Sequence, residues 1–126
     1  MTDAKRIRRG AIPRQAGNVI EQGGDLRILD GSDHGLRTSV MLSVVVPGGG
    51  PQRHRHPHAE VFVIHEGTGR FEVDGQSLDA DGGDVLIIPP NAWHVFRNSG
   101  TTPLRLVAIH ENPRAVIERE DGSRRD

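Results

Sequence analysis

Cysteine is absent from the 126 residues, which excludes disulfide bridges, cysteine-ligated zinc, iron–sulfur clusters and a cysteine nucleophile. Tyrosine is absent too, and Phe62, Phe71, Trp93 and Phe96 are the only aromatic residues, so few bulky anchors are available for a core. No apolar run approaches the ~20 residues that span a bilayer, and the basic opening Met1–Gly10 has no apolar stretch behind it. The expectation is a cytoplasmic protein with no membrane partner. An excess of one charge is also missing: 16 Lys plus Arg face 17 Asp plus Glu, a formal net charge of −1. Such a chain has no overall field to hold a nucleic-acid backbone, and none is expected as a partner.

What is abundant is turn chemistry. Sixteen Gly and eight Pro punctuate the chain, and β-branched runs lie between them. Leu36–Val46 reads as a strand stopped by Pro47-Gly48-Gly49-Gly50, and Glu60–His65 as another closed by Glu66-Gly67. Asp74-Gly75 between Arg70–Val73 and Gln76–Leu78 is a type I′ hairpin pattern. Asp84–Ile88 runs into Pro89-Pro90, and Trp93–Arg97 and Leu104–His110 supply the last strands. No segment sustains an i, i+3, i+4, i+7 apolar pattern, so no long helix is expected, with at most one helical turn at Ala115–Glu120. Seven or eight short strands at close spacing predict an all-β antiparallel sandwich or barrel. The expected division is an N-terminal strand segment over 1–35, a barrel over 36–112 and a charged, disordered tail over 113–126.

Parity along the strands adds a partner. In the central strand Val61 and Val63 are as apolar as Phe62 and Ile64, whereas a sheet with one wet face alternates. The outer face, with Val61, Val63 and Val45, therefore needs a cover, and a homodimer is expected, with the N-terminal strand reaching across to the partner.

Chemistry concentrates in the histidines. His54, His56 and His58 fall within five residues. In extended chain, His54 and His56 project to one face roughly 6.5 Å apart, and Glu60 has the same parity. Two imidazoles and a carboxylate are a facial set for a divalent transition metal, and His94, after the Pro-Pro turn, is placed to add a fourth ligand. The plainer reading of Glu60 is an ion pair with Arg53 or Arg55. His58, one residue past Pro57, reads as a mouth residue rather than a fifth ligand. His110 shares parity with Leu104, Leu106 and Ala108, and is either a structural histidine or, facing inward, a proton carrier. His34 and His65 fall in a turn and on an outward position.

The spacing Gly48-x5-His54-x-His56-x3-Glu60-x6-Gly67, followed by Gly83-x5-Pro89-x-Asn91-x2-His94-x3-Asn98, resembles the two motifs of the cupin superfamily over roughly residues 36 to 110. With seven histidines in 126 residues, three at the required positions arise by chance roughly once in 6,000 sequences. One departure occurs, Asn91 where the motif usually has Gly, and Asn is the next most tolerant residue of left-handed backbone.

The resemblance implies a double-stranded β-helix, or jelly-roll barrel, whose His54, His56, Glu60 and His94 bind one metal. Fe(II) or Mn(II) suit an octahedral site with two neighbouring open positions, while Ni, Co, Cu or Zn remain admissible. Phe62, Ile64, Phe71 and Phe96 are expected to wall the substrate pocket, with Asn98 as its nearest polar group. Such a lining suits a small substrate that chelates through two oxygens, such as an enediol, a dicarbonyl or a catechol-like ring. The expected function is dioxygenase-type oxidation of that substrate, with His110 as a possible base. The alternatives are a non-redox decarboxylase, isomerase or lyase, and a cupin that binds a small ligand without turnover.

Overall fold

The computed structural model describes residues 24–125, and the part of the expected N-terminal strand segment that precedes Gly24 lies outside them. Eleven strands and one 3-10 turn (Gly31–His34) make up the described part. The strands are β1 (Gly24–Leu29), β2 (Ser39–Val45), β3 (His54–Arg55), β4 (Glu60–Glu66), β5 (Thr68–Val73), β6 (Gln76–Asp81), β7 (Val85–Ile88), β8 (His94–Asn98), β9 (Leu104–His110), β10 (Ile117–Arg119) and β11 (Arg124–Arg125). They form two sheets with every pairing antiparallel, in the orders β1-β2-β9-β4-β7 and β11-β10-β3-β8-β5-β6. The connection from β3 to β4, two strands of adjoining motif sequence, therefore crosses from one sheet to the other. This is the jelly-roll barrel.

Turn chemistry sets the register. Asp74 and Gly75 take φ of 47° and 83°, both left-handed, and pair Val73 with Gln76 as a two-residue hairpin requires. Gly67 at φ 92° would bring a Cβ to 2.6 Å from the Pro103 carbonyl oxygen, so the β4–β5 turn has space for glycine alone. Asn91 sits at φ 65°, the left-handed position its motif assigns to Gly.

Burial alternates along the strands as parity predicts. Met41, Val45, Phe62, Ile64, Phe71, Phe96, Leu104 and Leu106 face the interior. Phe62, Phe71 and Phe96 form its aromatic centre, with ring centroids 5.1 to 5.5 Å apart. Val45 is 1% exposed and belongs to this core, a correction to its expected place outside. The strand starts at Ser39, and Ser39, Met41, Ser43 and Val45 share one face, so Val44 takes the outward position.

The C-terminal segment differs from its expected disorder. β10 pairs with β3, and Ala115 and Ile117 are fully buried. Two apolar side chains suffice to seat the segment because ion pairs fasten its flanks: Arg55 to Glu118 at 3.1 Å, and Arg125 to the buried Asp30 at 2.8 Å. The single helical turn expected there is a strand instead.

Candidate metal centre

β3 and β4 lie in different sheets, and the bend at Pro57 between them lets His54, His56 and Glu60 point into the same end of the barrel. His94 opens β8, directly opposite His54 in the β3–β8 ladder. Each of the four residues is at most 3% exposed. Their ligand atoms lie within 4.8 Å of one another, so the cluster could hold a metal ion.

Hydrogen bonds fix the faces these rings present. His54 donates from Nδ1 to the Gln52 carbonyl at 2.7 Å, His56 to that of Val116 at 2.8 Å, and His94 to that of Ala92 at 2.8 Å. A carbonyl only accepts, so each Nδ1 carries the proton and each Nε2 turns toward the interior. The Nε2 atoms of His56 and His94 both stand 3.0 Å from Glu60 Oε1. His94 and Glu60 meet in hydrogen-bond geometry, whereas His56 Nε2 is buried without a hydrogen bond, off the axis one would need. Lone pairs crowded against a buried carboxylate repel unless a cation sits among them. The donor set fits a divalent ion: three imidazole nitrogens and one carboxylate oxygen, each nitrogen backed by a carbonyl.

Burial readies the ligands. It pushes His54 well below its ordinary 6.5, aided by the neighbouring His94 and His56, and it lowers His56 as well. Both are therefore neutral, ligand-competent imidazoles at pH 7. Burial alone would raise the Glu60 carboxyl, but the close approach of the His110, His56 and His94 rings outweighs it and holds the group well below the usual carboxylate range. The plainer pairing of Glu60 does not occur: Arg53 binds Glu72 and Arg55 binds Glu118.

The remaining candidates separate. His110 is fully buried, with Nε2 3.1 Å from Glu60 Oε2. His58 is 8% exposed, shares a 3.1 Å hydrogen bond with His110, and is lowered to about 4 by burial and by the neighbouring His110 and His56. His34 and His65 are exposed and belong to neither group of candidate ligands. A cleft beside the four residues is lined by His54, Glu60, Phe62 and Phe96 together with Met41, Ser43, Leu106 and Ala108. Its cavity volume is ≈ 10 Å³, room for about one water. Ile64 and Phe71, each 1% exposed, belong to the core and are not part of this lining. Asn98 is also absent from it: its amide donates to the Val45 and Thr102 carbonyls and its oxygen accepts from Gly100, so it ties strand ends together instead of meeting a ligand. Sequence reasoning missed Ser43, whose signal was its parity with Met41, and the Val116 carbonyl, which carries no side-chain signal at all.

The cupin domain family model matches residues 41–110, more than half of the chain. The chain is a cupin. Protein SchB of Streptomyces halstedii is 38% identical over 98 residues, which are 75% of this cupin and 70% of SchB. The 5-nitrosalicylic acid 1,2-dioxygenase of a Bradyrhizobium species is 29% identical over 68 residues, 54% of this chain and 33% of that one. Among solved structures, the Lactobacillus farciminis oxalate decarboxylase formate complex superposes with a TM-score of 0.77 at 22% identity, over 89% of this cupin and 34% of that chain. That likeness is one of fold. The cupin spans 63–64% of the length of two further curated relatives.

Proposed function

We propose that this cupin is a metal-dependent enzyme that oxidises a small organic substrate chelating through two oxygens, with dioxygen as co-substrate. The observation that carries the reading is the convergence of three Nδ1-anchored imidazoles and the buried Glu60 carboxylate beside an apolar cleft. A divalent ion held by His54, His56, His94 and Glu60, Fe(II) or Mn(II) by preference, would supply Lewis acidity, one-electron chemistry and neighbouring open positions. The chain's own contribution is positional. Met41, Phe62, Phe96, Leu106 and Ala108 keep water scarce at the ligands, and the Ser43 side chain is the cleft's one hydroxyl. His110 Nε2, held 3.1 Å from Glu60 Oε2, is the nearest group outside the four ligands to take up a substrate proton.

The dioxygenase relative supports this class, and the lining favours it over decarboxylation of a small dianion: no Lys or Arg side chain is among the residues lining the cleft. Oxygen uptake by Fe(II)-loaded protein, with enediols and catechols as substrates and His56→Ala as control, tests the proposal. Absence of uptake at every metal loading refutes it, and turnover under argon replaces it with the non-redox reading.

The same proposal includes a homodimer. Across the outer face of the first sheet, Leu29, Val40, Ile109, Val61 and Ile87 stand in one row, and Leu42, Val107, Val63 and Val85 in the next. Ile87 is 73% exposed and Val85 58%. Two apolar rows of this width suit face-to-face packing with the same rows of a second copy. The compartment we assign on the sequence alone is the cytoplasm.

A further inference from the structure

The cluster around Glu60 holds more imidazole than one ion uses. His56, His58 and His110 each offer a ring nitrogen within 4.8 Å of the others. Their ring centroids lie 4.6 to 5.2 Å apart. Three buried ring nitrogens lack a hydrogen-bond partner, namely His56 Nε2, His58 Nδ1 and His110 Nε2, one on each of these rings. The rings are 1%, 8% and 0% exposed, respectively. In the 3.1 Å hydrogen bond between His58 Nε2 and His110 Nδ1 one ring donates and the other accepts, so a neutral pair keeps a single outward lone pair. With His110 Nδ1 donating, that lone pair is His110 Nε2, beside Glu60 Oε2, and His58 orients the ring as a backing partner orients a ligating histidine. Glu60 serves both sides of the cluster: Oε1 faces His56 and His94, and Oε2 faces His110.

We propose that the barrel offers a divalent cation a second seat, formed by His56, His110 and Glu60 Oε2 with His58 orienting His110, as an alternative to the seat formed by His54, His56, His94 and Glu60 Oε1. The inference rests on reading the first set as a metal centre. The two seats exclude one another. His56 has a single free nitrogen, because its Nδ1 is committed to the Val116 carbonyl, and both seats draw on it. Two dications would also share one carboxylate, with a mutual repulsion four times that of unit charges at the same separation. His58, which orients His110, is the most exposed histidine of the cluster, so the second seat is the one nearer solvent.

The consequence is an asymmetry among histidines that a single four-ligand site does not have. His56 belongs to both seats, His54 and His94 to one, and His110 to the other. Co(II) is the probe, with bound metal counted by elemental analysis after gel filtration and coordination read from the visible spectrum. Wild type is expected to bind one equivalent. His54→Ala and His110→Ala each keep one equivalent with distinct spectra, while His56→Ala and the His54→Ala/His110→Ala pair bind none. Loss of all metal in His54→Ala overturns the second seat while leaving the first intact. Metal in His54→Ala that survives the added His110→Ala change overturns it too, as do two equivalents in wild type. Wild type that binds no Co(II) overturns both readings. Should His54→Ala fail to fold, as judged by circular dichroism, His94→Ala disables the same seat and gives the same test.

Discussion

Replacing Glu60 by Gln tests the electrostatic core of the site without changing its shape. In the ion-free protein the carboxylate is 1% exposed and meets imidazole nitrogens at 3.0, 3.0 and 3.1 Å. Removing one member of a buried charged network normally costs a few kcal/mol, but Gln keeps a carbonyl acceptor and adds an amide donor for one crowded Nε2 lone pair. The ion-free variant is therefore expected within about 1 kcal/mol of wild type. The ion-bound protein behaves otherwise. A divalent ion at 100 times its Kd stabilises the folded state by about 2.7 kcal/mol, roughly a 10 °C rise in Tm for a chain of this length. With the charge gone, most of that rise should disappear.

Scanning calorimetry with and without Co(II) or Mn(II) reads both quantities. His54 and His56 bind protons more weakly in the folded chain than at their ordinary 6.5, so just below that pH the unfolded state holds the more protons and stability falls as pH falls. The ion-dependent rise should accordingly persist through pH 6.5 and vanish only at more acid pH, where the folded imidazoles titrate and Glu60 begins to follow. An undiminished ion-dependent rise in Glu60→Gln would refute the assignment of the carboxylate as a ligand. A rise lost already at pH 7 would refute the burial argument.

Other parts of the chain give simpler tests. Phe71→Ala empties the centre of the aromatic cluster, where Phe71 is 1% exposed and stacks on Phe96 at 5.1 Å, and should cost about 3–5 kcal/mol in a urea melt. A loss under about 1 kcal/mol would mean that this layer is not close-packed. Asn91→Gly places the motif's usual residue at φ 65° and should shift stability by no more than about 0.5 kcal/mol, with metal content unchanged; a larger loss would assign the Asn91 side chain a role. Ile87→Lys puts a charge on the most exposed residue of the outer rows, and sedimentation should show a folded monomer in place of the dimer proposed for wild type. Dimers persisting in that variant would place the interface elsewhere.

The parts of this architecture legible in the sequence are those where local chemistry and tertiary demand agree. Asp74-Gly75 encodes its own turn, and period-2 parity puts Glu60, Phe62 and Ile64 on one face of β4 and His110, Ala108 and Leu106 on one face of β9, which the fold then sets opposite one another. The four-residue cluster follows from parity once the strand is allowed to bend at Pro57. Asn98 was misplaced because parity reports a direction and not a partner; inward-facing, it spends all of its hydrogen bonds on the backbone. The bounds of strand β1 within the N-terminal segment are not legible because Gly24–Leu29 is half polar, and only the β2 edge gives it a place.

The C-terminal segment shows the reverse case, where composition misleads because the interaction that matters is made by backbone. Glu118–Asp126 is almost wholly charged or turn-forming, which ordinarily marks a solvated tail. Ala115 and Ile117 nevertheless enter the core, and between them the Val116 carbonyl accepts the proton that fixes His56 in its ligating tautomer. The tail is thus a support of the candidate metal site. Truncation after Pro113 should weaken Co(II) binding by roughly 10- to 100-fold, the usual cost of losing a partner that orients a ligand. Ile117→Ala should move affinity in the same direction in a full-length chain, because it loosens β10 while leaving every ligand in place. Both chains are compared by competition against a chelating dye under conditions where circular dichroism shows them folded. Unchanged affinity in both would mean that His56 holds its tautomer without Val116, and the dependence of this centre on its last strand would be wrong.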